Sequence, residues 1–258
     1  MKCSTGADAV KSVVCLKRVP DTETRIRIDA SGSGIDPTGV KYVISPYDEY
    51  ALEAALRVKE SEGEGEVSLL TFGDPSAQET LRKGLAMGAD SAVLLSGVPG
   101  MDGLATAKAL AAELAGCEAP LILFGVKAAD DEQQQVGPMV AALLGRPCVT
   151  GVASFEVEGK KVVCRREVEG GSEVLEVSLP AVLTVTKGPF EPRLASLKGI
   201  MAAKKKPLEE KPGQPGESRV LVRALSEPPA RPAGRIVGEG PEAVPELVRL
   251  LREQAKVV

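Results

Sequence analysis

The sequence predicts an α/β fold built on a mostly parallel sheet, followed by an antiparallel portion and an extended C-terminal arm. Three observations carry that expectation. Short apolar runs alternate with helical patterns at steps of roughly 30 residues as far as Gly145. From Val149 the helical patterns give way to successive strand-like runs joined by Gly-containing turns. Beyond Lys187 the chain becomes rich in Pro, Gly, Glu and Lys, with one amphipathic stretch at its end.

The elements follow in order. Residues 12–19 (SVVCLKRV) form an apolar run that ends in Lys-Arg and then Pro20-Asp21, a buried strand opening into a loop. Residues 25–29 (RIRID) alternate as a strand with one wet face, and the Gly/Ser/Pro cluster 30–39 is a turn. Ala51, Leu52, Ala55 and Leu56 repeat at helical spacing over 48–60, with Ser45 placed to cap and Pro46 at the first helical position. A strand over 66–72, the turn Gly73-Asp74-Pro75-Ser76 and a helix over 77–87 closed by Gly88 come next. Then follow a strand at 91–95, an Ala/Leu-rich helix at 102–114, a strand at 120–125 and a helix at 133–144 closed by Gly145. Residues 149–158, 161–168, 173–179 and 181–186 read as the antiparallel portion. Residues 204–216 and 227–232 read as linkers, and 243–255 as a final amphipathic helix. The expected division is a body over 1–186 and, over 187–258, a recognition loop, a linker and an arm that clasps a partner or its own domain.

Composition narrows the function. The chain has 258 residues, a net charge of −4, three Tyr, four Phe and no Trp, which argues against a nucleic-acid surface with stacking aromatics. No apolar run approaches the ~20 residues that span a bilayer, so no direct membrane insertion is expected. The N-terminus shows no signal or transit pattern, which makes the cytoplasm the default compartment. The five cysteines (3, 15, 117, 148 and 164) are scattered without a C-x-x-C pair and read as reduced thiols. Histidine is absent, which excludes His-based nucleophilic triads and His-ligated metals and leans towards binding or cofactor chemistry.

Four places carry candidate chemistry. In 125–137 (GVKAADDEQQQVG), Gly125 ends a strand and lets a ligand approach the backbone. Gln133, Gln134 and Gln135 then open a helix beside its positive end, where a nucleotide phosphate would sit. A polar capping loop reads the same way, with Asp130 and Asp131 serving the helix dipole. Ser45, Pro46, Tyr47 and Asp48, with the turn after Phe72, lie at strand-to-helix junctions that can meet around one adenosine, or simply cap. Glu167, Glu169 and Glu173 form either an acid–base pair or a solvated hairpin face. In 191–201, Leu194, Leu197, Ile200 and Met201 make an apolar stripe between charges, suited to a docking surface or to packing on the body.

These blocks, in this order, resemble the electron-transfer flavoprotein β-subunit family. The resemblance runs through VCLKRVPD (14–21), ISPYDEYALEAALRVKE (44–60), ETLRKGLAMGAD (79–90) and GVKAADDEQQQVGPM (125–139). It continues through REVEGGSEVLEVSLPAVLT (166–184), EPRLASLKGIMAAKKK (191–206) and SEPPARPAG (226–234). It implies a parallel-sheet nucleotide-binding domain of the adenine nucleotide α-hydrolase-like kind. It also implies an electron-carrier subunit, not an enzyme on its own, paired with an α subunit that holds most of the FAD. Electrons then come from flavin dehydrogenases such as acyl-CoA dehydrogenases, in fatty acid oxidation, and go to a membrane quinone oxidoreductase. AMP is expected at Cys15, Ser45, Pro46, Tyr47, Asp48, Phe72, Gly125, Asp130, Asp131, Gln133, Gln134, Gln135 and Val136.

By the same resemblance, Leu197 anchors the partner dehydrogenase and Glu167 faces the α subunit. Ser45 stands where the family usually has Asn, Phe72 where a smaller residue is frequent, and Ala202 where relatives can carry Lys. Family members that bifurcate electrons hold a second FAD in place of AMP and show a loop like AIDGDTAQVGP. Here AADDEQQQVGP resembles the non-bifurcating type. The other readings are that bifurcating form and a stand-alone nucleotide-binding regulator resembling universal stress proteins.

Overall fold

A computed structural model of the chain describes residues 10–98, 100–231 and 233–258. Cys3 and the N-terminal segment read for targeting signals lie outside them. The core is a sheet of nine strands. It begins with β1 (Val10–Cys15), whose chain continues into a short ribbon of β2 (Arg18–Pro20) and β3 (Tyr42–Ile44). Then come α1 (Pro46–Glu62), β4 (Gly65–Gly73), α2 (Ala77–Met87), β5 (Ser91–Ser96), α3 (Gly103–Leu114), β6 (Leu121–Gly125) and α4 (Val136–Leu144). Strands β7 (Cys148–Glu158), β8 (Lys161–Val168), β9 (Gly171–Ser178) and β10 (Ala181–Val185) follow. Helix α5 (Leu197–Ala203), β11 (Leu208–Pro212) and α6 (Val244–Leu250) complete the set, α6 running on as a single π turn at Leu251–Ala255.

The sheet order is β11-β5-β4-β1-β6-β10-β7-β8-β9. Its central strands are apolar on both faces because helices cover both. Alternate residues of β6 show this directly. Leu121 and Leu123 join one core with Leu52 of α1 and Leu81 of α2, while Ile122 and Phe124 join the other with Leu110 of α3 and Val140 of α4. The chain crosses from the first face to the second between α2 and α3. This makes the gap between β1 and β6 the switch point, where open α/β sheets leave a crevice.

Three expectations need correction. The run at 181–186 is not part of an antiparallel meander: β10 inserts between β6 and β7 and pairs parallel with both. Within the nine-stranded sheet only the β7–β8 and β8–β9 pairings are antiparallel. The stretch 204–216 is not only a linker, because β11 adds to the sheet edge in parallel with β5, from Leu208 opposite Ala92 to Pro212 opposite Ser96. The alternating 25–29 forms no strand and keeps a single bridge, Ile28 to Ile35. Among the described residues Cys15, Cys117, Cys148 and Cys164 are free thiols. No helix is long and apolar enough to cross a membrane among those residues.

Candidate functional site

A cavity of about 1310 Å³ opens at the C-terminal ends of β1, β4 and β6. Cys15, Phe72 and Gly125, the terminal or near-terminal residues of those strands, form its floor. Asp130, Asp131, Gln133, Gln134, Gln135 and Val136 line it from the loop after β6. Asp48 reaches it from α1, whereas Ser45, Pro46 and Tyr47 do not line it.

Asp48 organises the junction. Its carboxylate accepts the Lys17 N–H at 2.7 Å and the Gly125 N–H at 2.9 Å, tying the ends of β1 and β6 to the start of α1. Burial pushes its pKa up to about 7, against the pull of those two donors and of the Lys17 charge. The close approach that Gly125 permits is this one. A Cβ on Gly125 would lie 2.7 Å from the backbone N of Asp48 and from the carbonyl carbon of Tyr47, so the glycine serves the α1 contact as well as facing the cavity. Ser45 occupies the N-cap position of α1 without a side-chain capping bond, and its buried Oγ has no partner. Burial, with the Asp48 charge second, holds the Cys15 thiol well above its usual pKa, so it behaves as an inert apolar wall.

The loop from β6 to α4 presents backbone donors. Helix α4 starts at Val136, three residues later than its sequence pattern indicates, because Glu132 and Gln134 adopt positive φ (50° and 57°). Among the described residues no protein acceptor meets the amides of Gln134, Gln135, Val136 and Gly137. Unpaired N–H groups at a helix N-terminus form an anion site. The Gln135 side-chain amide donates to Gln133, so these two glutamines brace each other. Lysines neutralise the acids of the loop. Lys17 Nζ contacts both Asp130 and Asp131 at 2.8 Å, and Lys127 contacts Glu132 at 2.7 Å.

The expected docking stripe is anchored to α1 and α2. Arg193 bonds Glu53 and Glu60 of α1. Arg82 of α2 donates to the carbonyls of Ala203 and Lys206, and Ser196 caps α5 by accepting the Gly199 N–H at 3.0 Å. On this fixed frame Leu194 is 94% exposed, Leu197 84%, Met201 63% and Ile200 44%. These apolar side chains therefore stand in solvent rather than pack on the body.

The electron transfer flavoprotein domain model matches residues 33–214. The chain is 39% identical over 249 residues to the "Electron transfer flavoprotein subunit beta" of Syntrophomonas wolfei, covering 96% of this chain and 98% of the relative. It is 40% identical to the protein of that name from Bradyrhizobium diazoefficiens, covering 96% and 100%. The mouse protein of that name is 37% identical over 96% and 99%. The chain belongs to the electron transfer flavoprotein β-subunit family.

As a β-family chain it carries the remaining expected positions as follows. Glu167 is exposed on β8 opposite Ser172 of β9. Glu173 pairs with Arg166 at 2.6 Å and so lies on the other face of the hairpin, which rules out Glu167 and Glu173 as one acid–base pair. Ala202 is exposed on α5. Motif reading missed Arg18 and a stretch of the arm, Arg219 to Val222, of which Arg219, Val220 and Val222 line the cavity. Arg18 had a usable signal, because Lys17-Arg18 lies one residue past the C-terminal end of β1. The arm had none. Asp102, the N-cap of α3, holds it through the Arg219 and Val220 amides.

Proposed function

We propose that the chain is the β subunit of a heterodimeric, non-bifurcating electron-transfer flavoprotein that holds one AMP structurally in the cavity above β1, β4 and β6. The body over 1–186 carries the nucleotide, and 187–258 carries docking and clasping. The observation that carries the reading is the amide cluster at the start of α4 within a cavity at the sheet's switch point. The phosphate of AMP fits those amides, and its adenosine fits the apolar floor around Cys15 and Phe72. A second FAD fits less well, because the bulky side chains of Asp131 and Glu132 crowd the loop where a flavin's diphosphate would lie.

FAD, bound mainly by the α subunit, supplies the redox chemistry of the pair. This chain's residues bind and orient. The arm carries Leu221, Ile236 and Val244 exposed at 78%, 86% and 53%, apolar side chains that the α subunit buries. Glu167 faces that subunit and pairs with one of its arginines. The stripe from Leu194 to Met201 docks flavin dehydrogenases, such as those acting on acyl-CoA, and electrons pass on to a membrane quinone oxidoreductase. The placement is cytoplasmic.

Co-expression with the neighbouring α-type chain tests the pairing. A flavin absorption spectrum that appears only when both chains are present supports it, and a colourless pair or a lone chain that is already yellow contradicts it.

A further inference from the structure

The cations lining the cavity are not equivalent. Lys17 is committed to Asp130 and Asp131, and Lys127 to Glu132. Arg18 of β2 lines the same cavity and forms no ion pair among the described residues. Its guanidinium carbon lies 3.4 Å from the centroid of the Tyr42 ring, on the paired strand β3. Its Nε is buried and has no hydrogen-bond partner. Asp74 lies near enough for its carboxylate to feel the Arg18 charge, yet that carboxylate is occupied by Ser76, whose N–H it accepts at 2.7 Å.

A guanidinium stacked on an aromatic ring has its face used and its edge free. The edge is a planar fork of N–H donors that matches phosphate oxygens two at a time. Unlike the buried Nε, its terminal N–H groups are not enclosed and have no partner among the described residues, so they are the donors that an acceptor entering the cavity can reach. The loop after β6 offers the phosphate backbone amides but no free cation, since its lysine is paired with Glu132.

We infer that Arg18, laid flat on Tyr42, donates edge-on to the phosphate of the adenine nucleotide in this cavity and makes the site select a nucleotide over a nucleoside. The inference rests on the reading of the cavity as an AMP site. Tyr42 is the platform that fixes the plane of the fork, and the α4 amides complete the shell of donors around the phosphate. Loss of the guanidinium therefore removes affinity for the phosphate and leaves the contacts to adenosine intact.

The test uses the nucleotide-stripped heterodimer titrated calorimetrically with AMP and, separately, with adenosine. Arg18→Gln lowers AMP affinity by roughly 10- to 100-fold, the range of a charge-assisted hydrogen bond, and leaves adenosine affinity unchanged. Arg18→Lys keeps the charge without the fork and recovers part of the loss. It also carries the comparison if the Gln variant does not assemble. Equal losses for AMP and adenosine overturn the inference, because Arg18 then only supports the fold through Tyr42. Unchanged AMP affinity overturns it as well. A wild-type pair that binds neither ligand overturns the AMP reading itself, which separates the two failures.

Discussion

Arg193 closes a three-point grip on Glu53. Its Nε meets Oε2 at 2.7 Å, its backbone N–H meets the same oxygen at 3.1 Å, and its Nη2 meets Oε1 at 3.1 Å. Glu53 is 2% exposed, and Arg57 donates to its Oε1 at 2.7 Å. Desolvation raises the Glu53 pKa, but the Arg193 hydrogen bonds outweigh it and the carboxyl stays below its usual value. The start of the 191–201 segment is thus fixed to α1 by charge, while its apolar side chains are exposed.

Removing Arg193 leaves a buried carboxylate short of donors. Arg193→Ala is expected to cost about 2–4 kcal/mol of stability, read as a lower urea midpoint, and to slow electron acceptance because the segment loses its seat. Glu60→Gln touches the exposed side of the same cluster and is expected to change stability by less than about 1 kcal/mol.

Leu197→Ala separates docking from folding. The side chain is 84% exposed, so stability is expected to move by no more than about 0.5 kcal/mol. If a dehydrogenase buries it, the loss is about 1.5–3 kcal/mol of binding, or roughly a 10- to 100-fold rise in KM for the dehydrogenase. FAD and AMP content stay at wild-type levels. Unaltered transfer kinetics would remove the docking assignment.

Gly125→Ala tests the junction between β6 and α1. The added methyl meets Asp48 and the Tyr47 carbonyl carbon and forces α1 away from the sheet. A loss of about 1–3 kcal/mol is expected, with weaker nucleotide retention. Thermal unfolding and nucleotide content measured on the same sample check both parts.

Asp48 gives a pH dependence of known sign. Its folded pKa of about 7 lies above the usual carboxylate value, so the native state binds the extra proton between about pH 4 and 7. Its contribution to stability is full below about pH 4 and is lost as pH rises through 7, at no more than roughly 1.4 kcal/mol per pH unit. The stability difference between the wild type and Asp48→Asn is therefore expected to shrink with rising pH across that window. A difference that grows with pH would show that the two N–H donors dominate burial.

The helices and central strands were legible because their signals are local. Helix α2 runs over the expected 77–87, and β8 over the expected 161–168. Strand β11 was not legible, since Leu-Glu-Glu-Lys-Pro has neither alternation nor an apolar run and is held by backbone pairing at an edge. The placement of β10 was hidden for the opposite reason. All five of its residues are buried, and such a run carries no face pattern to reveal its partners. At the site, the loop 125–136 and Asp48 were readable from strand-to-helix junctions. The Ser45 side-chain cap was not realised, and the Arg18–Tyr42 stack needs two strands brought together from 24 positions apart.

The most direct measurement of the central claim is a count of nucleotides released by acid from the purified heterodimer, resolved by chromatography. One FAD and one AMP per pair is the expected result. Two FADs per pair, or FAD with no AMP, would contradict it.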